Sequence, residues 1–177
     1  MNNIEVKNQQ RKYKVDQGLI KDKAIAILSL CGLDDVELSI LIVNNQRIKI
    51  LNKQYRGIDN PTDVLAFPMQ ENASPESTKN PRILKIPLNP LLLKGEIGGL
   101  KGVGDTQPRL LGDIALSMEK IHSQAIEQGH SSAHEFMVLL THGILHLLGY
   151  DHERSRQEEL KMKKRENFIL SKLGFTI

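Results

Sequence analysis

Apolar residues fall along this chain in two rhythms. Val36, Leu38, Ile40 and Ile42 alternate with Glu37, Ser39 and Leu41, and a period of two predicts a strand. Ahead of it, Val15, Ile20, Ala24, Ile27, Leu28 and Cys31 recur at helical spacing. Asp16 is placed to cap that helix, and Gly32 stands just past its end. Ile4 to Val15 predicts a first, polar strand. After the alternating strand, Asn44 or Asn45 can cap a helix whose buried stripe is Ile48, Leu51 and Tyr55 and which Gly57 ends. Asp59, Asn60 and Pro61 make a turn. Asp63 to Phe67 is a short apolar run, predicted as a strand buried on both faces and closed by Pro68.

The rhythm then lapses. Gln70 to Arg109 holds five of the seven prolines, with glycines at 95, 98, 99, 102 and 104 and one apolar stretch, Leu91–Leu93. A connection this long without its own elements is usually functional or disordered. Its Gly102-Val103-Gly104 lacks the third glycine and the helix start of a phosphate loop. Patterning resumes with a strand over Leu110–Leu116 and a helix from the Ser117 cap to Gln128, stopped by Gly129. Ser132 opens the next helix, with Glu135 completing a capping box. That helix carries Phe136 to Leu140, Ile144, Leu145, Leu147 and Leu148, apolar nearly all round, and so should be the central buried one. Gly149 ends it in the left-handed conformation. A last helix is predicted from about Glu153 to Leu173, with Leu160, Phe168, Ile169 and Leu173 inward and Lys161, Lys163, Lys164 and Arg165 outward. The fold class is α+β: a small mixed sheet of about four strands packed by about five helices, with a metal-bearing helix at the centre. Residues 1–177 read as one domain with a long loop insertion at about 70–109.

Composition narrows the setting. The chain has 177 residues, one cysteine and no Trp. A single cysteine forbids an intrachain disulfide and fits a reducing, cytoplasmic compartment. Cys31 reads as a small buried hydrophobe. The polar N-terminus lacks the apolar core of a signal peptide, and no apolar run approaches the ~20 residues of a membrane span. A net charge of +3 tolerates an anionic partner such as RNA without demanding one.

The chemistry lies in Thr141-His142-Gly143-Ile144-Leu145-His146-Leu147-Leu148-Gly149-Tyr150-Asp151-His152. His142 and His146, four apart on a helix, project from one face. Gly149 lets the chain double back and return His152 to the same point. Three imidazoles with an open fourth position are the layout of a catalytic zinc site, and zinc is the first choice, although Cu, Fe and Ni suit the same donors. The alternative is three unrelated histidines, two of them buried on a greasy helix without partners, which costs free energy. His122, His130 and His134 show no ligand pattern and read as surface or helix-end residues. The spacing is that of the metzincin proteases, except that Gly143 stands where those proteases keep a general-base glutamate. A metal there can still acidify water and polarise a phosphoryl or carbonyl oxygen, but the usual peptide hydrolysis has lost its base.

The histidine segment resembles the signature of the YbeY family, bacterial metal-dependent endoribonucleases. Leu51-Asn52, Tyr55-Arg56, then Asp59 and Pro61-Thr62-Asp63-Val64-Leu65-Ala66-Phe67-Pro68 resemble that family's second block, and Leu111-Gly112-Asp113-Ile114 a third. The resemblance covers roughly residues 35–173. It implies that His142, His146 and His152 ligate one zinc or another divalent transition metal, and that Arg56 serves activity. An arginine beside a metal can hold a phosphate bidentately or stabilise charge on phosphorus. From its position alone, Arg56 reads equally as a solvated residue at a helix end. Asp63, Asp113 and Asp151 either orient a histidine or satisfy backbone donors, with Asp151 the preferred orienter. Lys161, Lys163, Lys164 and Arg165 either contact phosphates or form a solvated face diluted by Glu158, Glu159 and Glu166.

The function implied is a single-strand-specific endoribonuclease acting on the 3′ end of 16S rRNA in ribosomal RNA maturation and ribosome quality control. The implied partners are small-subunit rRNA, small-subunit ribosomal proteins and a ribosome-assembly GTPase, with no membrane. The attacking group is water or the ribose 2′-hydroxyl. The rivals are a metalloprotease and a non-catalytic ribosome-assembly factor with a structural metal. The 70–109 segment, longer than the family pattern, is a lid, an RNA contact or a disordered insertion.

Overall fold

Four aliphatic side chains on one face of the strand Val36–Val43 dictate where the core lies. Val36, Leu38, Ile40 and Ile42 are all buried, each stabilising the fold by roughly 1.5–3 kcal/mol. A computed structural model describes residues 1–69, 108–152 and 154–175. Its elements run β1 (Asn3–Asn8), α1 (Gln17–Leu30), β2 (Val36–Val43), α2 (Asn45–Arg56), β3 (Val64–Pro68), β4 (Arg109–Ser117), α3 (Met118–Gln128), α4 (Ser132–Leu147) and α5 (Arg156–Lys172). The sheet is mixed and ordered β1-β2-β4-β3. β1, β2 and β4 are parallel, and β3 runs antiparallel to β4 along the edge. The architecture is α+β, as the patterning predicted.

The two sheet faces have different covers. Ile4, Leu38, Ile40, Ile42, Ile114 and Leu116 pack in one cluster with residues of α1, α3, α4 and α5. Val43, Leu65, Phe67 and Ala115 pack on the other face with Ile48, Leu51 and Tyr55 of α2. α4 touches β3, β4, α1, α3 and α5, and ten of its residues are buried. Its nearly continuous apolar surface follows from being enclosed on so many sides.

Caps fall largely where the sequence placed them. Asp16, Asn44 and Ser117 accept from Leu19, Arg47 and Lys120 backbone N–H groups. α4 differs: its cap is Ser131, which accepts from the His134 N–H. The Ser132 hydroxyl instead meets His122 Nδ1 at 3.0 Å, and Glu135 meets His130 Nε2 at 3.0 Å, so no capping box forms.

Other boundaries also shift. β1 stops at Asn8, because buried Gln10 folds the chain into a turn by bonding both the N–H and the carbonyl of Tyr13. β3 has cover on both faces, fully over Leu65 and Phe67 on the α2 side and partly over Val64 and Ala66, which pack against the cluster that includes α4. α5 starts at Arg156 behind a Ser155 cap. Its inward face is Met162, Ile169 and Leu170, while Leu160 and Phe168 are exposed. Phe168 lies instead under the cations of Arg165 and Lys172, at 5.4 and 5.8 Å. Arg165 is half-buried, and its Nη2 donates to the Leu30 carbonyl at 2.7 Å. The Leu91–Leu93 stretch and the glycines at 95–104 lie outside the described residues. β4 begins at Arg109, so that residue belongs to the sheet.

The block Leu111-Gly112-Asp113-Ile114 is a β-bulge. Glu37 pairs with Leu110 and Leu38 with Gly112, leaving Leu111 as the extra residue. Gly112 has φ of 143°, and a Cβ there would lie 2.2 Å from the Phe67 carbonyl oxygen. Only glycine lets β3 and β4 approach at this point.

Candidate metal centre

His142 and His146 sit one turn apart on α4, with ring centroids 4.5 Å apart. Past His146 the helix ends in paired backbone bonds, Gly149 N to His146 O at 3.0 Å and Tyr150 N to Leu145 O at 3.1 Å. With Gly149 at φ of 90°, this is a Schellman termination, which reverses the chain. The reversal brings the His152 ring to 5.2 Å from His142 and 5.1 Å from His146. One nitrogen from each histidine lies within 4.8 Å of the others, the only such cluster of His, Cys, Asp or Glu among the described residues.

The partners of these rings fix where their lone pairs point. His142 Nδ1 lies 2.6 Å from Glu166 Oε1, so it carries the proton and donates to the carboxylate. The Tyr150 backbone acts on His146 in the direction that favours its protonated form. The two Nε2 atoms are 2.9 Å apart. With its proton on Nδ1, His142 turns the lone pair of Nε2 toward His146 Nε2. His152 adds a buried Nδ1 with no hydrogen-bond partner, a group that costs free energy unsatisfied.

Burial, and then the neighbouring imidazoles His142 and His152, push the His146 pKa down to about 4. The ring is therefore neutral at neutral pH, the form that ligates. Two tetrahedral ligands of zinc at about 2.0–2.1 Å stand roughly 3.3 Å apart, a spacing within the range the three nitrogens span. The donor set fits a divalent transition ion.

Other predicted residues fall less uniformly. Asp63 serves its own strand start: it accepts from Thr62 Oγ1, the Val64 N–H and Gln124 Nε2 at 3.1, 2.8 and 2.9 Å. Asp113 is buried opposite Phe67 on the face turned to α2, whereas α4 packs on the other. Asp151 pairs with Arg154 Nε at 3.2 Å, and its charge also favours protonated His146. Glu166, expected only as a charge that dilutes the lysine face, lies against the His142 ring. Its signal was positional: residues 162, 166, 169 and 170 share one helix face, and the other three are buried.

Arg56 is the last residue of α2, half-buried, and Gly57 follows it at φ of 72°. From there the chain turns into β3, the strand that touches α4. Lys161, Lys163 and Lys164 are exposed, and Lys161 is engaged by Glu158 at 2.6 Å, so that face is solvated. His122, His130 and His134 have structural partners, His130 and His134 being stacked at 4.5 Å.

Gly143 is buried against the sheet. A Cβ there would meet Ile114 at 3.2 Å and Val64 at 3.3 Å. The position that holds a base in the metzincins is here a packing contact between α4 and strands β3 and β4.

Among the described residues, no helix is long and apolar enough to cross a membrane. The sequence profile of the family described as Endoribonuclease YbeY matches residues 5–174. The chain is 41% identical to an endoribonuclease YbeY of Aquifex aeolicus over 173 residues, covering 98% of this chain and 93% of that one. It is 37% identical to an endoribonuclease YbeY of Caldicellulosiruptor saccharolyticus, covering 98% of each. The solution structure of TM1509 from Thermotoga maritima shares the fold, with a TM-score of 0.54, 23% identity, and coverage of 98% of this chain and 91% of that one.

Proposed function

We propose a function from the premise that this chain belongs to the endoribonuclease YbeY family. It is an endoribonuclease of ribosomal RNA maturation, a hydrolase of RNA phosphodiester bonds. Its substrate is single-stranded RNA at the 3′ end of small-subunit rRNA, and its place is the cytoplasm. Small-subunit ribosomal proteins and a ribosome-assembly GTPase are its expected protein partners. One ion per chain, zinc by preference, is held by His142, His146 and His152, and when bound it supplies Lewis acidity toward a phosphoryl oxygen and water. The observation that carries this reading is the approach of the His142 and His146 Nε2 atoms to 2.9 Å, with a third imidazole beside them.

The chain's own groups do the rest. The His142 Nδ1 proton is held by Glu166, so that ring keeps one orientation. Arg56 binds the scissile phosphate and offsets charge developing on it. Residues 1–177 act as one domain, with the segment from about 70 to 107 inserted between β3 and β4. Those two strands pair directly, and such neighbours need only a short turn.

Arg56→Ala tests the assignment of the arginine. It should lower kcat/KM on single-stranded RNA by roughly 10²–10³-fold while metal content stays at one per chain. As a mere helix-end cation it would be worth about 0.3–1 kcal/mol of stability. Unchanged cleavage in the variant would remove Arg56 from the site.

A further inference from the structure

We infer that Glu166 is the positioning residue of the metal site, which orients His142 from the far side of its ring and so tightens metal binding. The inference rests on the metal-site reading above. Three observations carry it. Glu166 Oε1 lies 2.6 Å from His142 Nδ1, a charge-assisted distance. Nδ1 is the ring nitrogen not turned toward His146, so the carboxylate backs the ring and leaves Nε2 free to ligate. The Glu166 side chain keeps only 17% of its exposure, and a carboxylate withdrawn that far from water needs the bond it makes.

The arrangement is built from a distance. Glu166 is 24 residues from His142 and reaches it because α5 is clamped on both flanks. Met162, Ile169 and Leu170 bury the face on which it lies, and the adjacent Arg165 fastens α5 to the end of α1 at the Leu30 carbonyl. A carboxylate behind a ligating imidazole fixes its tautomer and ring angle and raises its basicity; losing such a partner typically costs 10–100-fold in metal affinity. α5 is thereby part of the metal site although it supplies no ligand.

The test is a zinc titration of the metal-stripped full chain against a chromophoric chelator, in wild type, Glu166→Gln, Glu166→Asp and the His142→Ala pair with and without Glu166→Gln. Glu166→Gln should weaken zinc binding by about 10–100-fold with little change in the melting temperature of the metal-free chain. In the His142→Ala background the same change should have no further effect on zinc affinity, a coupling that a merely structural role would not produce. Equal zinc affinity in wild type and Glu166→Gln overturns the inference and leaves the metal site standing. Absence of zinc binding by wild type overturns both. Should Glu166→Gln fail to fold, ring ¹⁵N shifts of the zinc-loaded wild type decide. A protonated Nδ1 and ligated Nε2 on His142 support the inference, and ligation through Nδ1 overturns it.

Discussion

Gly143 carries two consequences that pull in the same direction. Its lack of a side chain removes the carboxylate that a metzincin would use as a base, and its lack of a Cβ lets α4 settle onto Ile114 and Val64. Restoring a glutamate therefore costs packing before it can offer chemistry. Gly143→Glu should lose on the order of 3 kcal/mol, from overpacking and an unpaired buried carboxylate, and gain no peptide cleavage. Thermal unfolding and a peptide-cleavage screen check both halves; an unshifted melting temperature with new peptidase activity would revive the protease reading. The convergence of His142, His146 and His152 was legible because i, i+4 spacing and a helix-ending glycine are local. The contact of Glu166 with His142 was not, since it depends on how α5 lies against α4. Asp151, the orienter that sequence adjacency suggests, pairs with Arg154 and acts on His146 by its charge.

At the scale of elements, α4 shows where local rules lost to tertiary contacts. The Ser132–Glu135 pair has the spacing of a capping box, yet Ser131 takes the cap and Glu135 is drawn to His130. Burial raises the Glu135 pKa, the nearby His130 lowers it, and the charge of Asp63 raises it again, leaving a net increase. A carboxyl with a raised folded pKa adds stability that is fully present below its unfolded value and is lost as pH rises through the folded value. Glu135→Gln, neutral throughout, should therefore match wild type in acid and gain on it as pH rises from about 4.5 toward neutrality. Melting temperatures across that range test the sign. A variant that falls behind wild type at neutral pH would make the His130 pair net favourable instead. α5 taught a similar lesson, because its apolar residues fit more than one helical face. Leu160 and Phe168 were expected inside, but the clamp at Arg165 and the seats of Met162 and Ile169 select another face.

For the whole molecule, the alternation of β2 and the greasy length of α4 made the α+β class legible. Strand order was not, because nothing in β3 announces that it pairs antiparallel at the edge of an otherwise parallel sheet. If residues 70–107 are an insertion in one domain, replacing them with a short Gly-rich linker should leave melting temperature and zinc binding near wild type. Loop length itself costs little, about 0.6 kcal/mol per doubling. A collapsed far-UV circular dichroism spectrum would show instead that the segment belongs to the core.

We propose that RNA cleavage depends on an ion held by His142, His146 and His152. The most direct measurement is cleavage of a single-stranded RNA spanning an rRNA 3′ end by wild type and His146→Ala, with zinc counted in both preparations. Wild type should cut with one ion per chain, and the variant should neither cut nor retain it. Equal cutting by the two proteins would contradict the proposal.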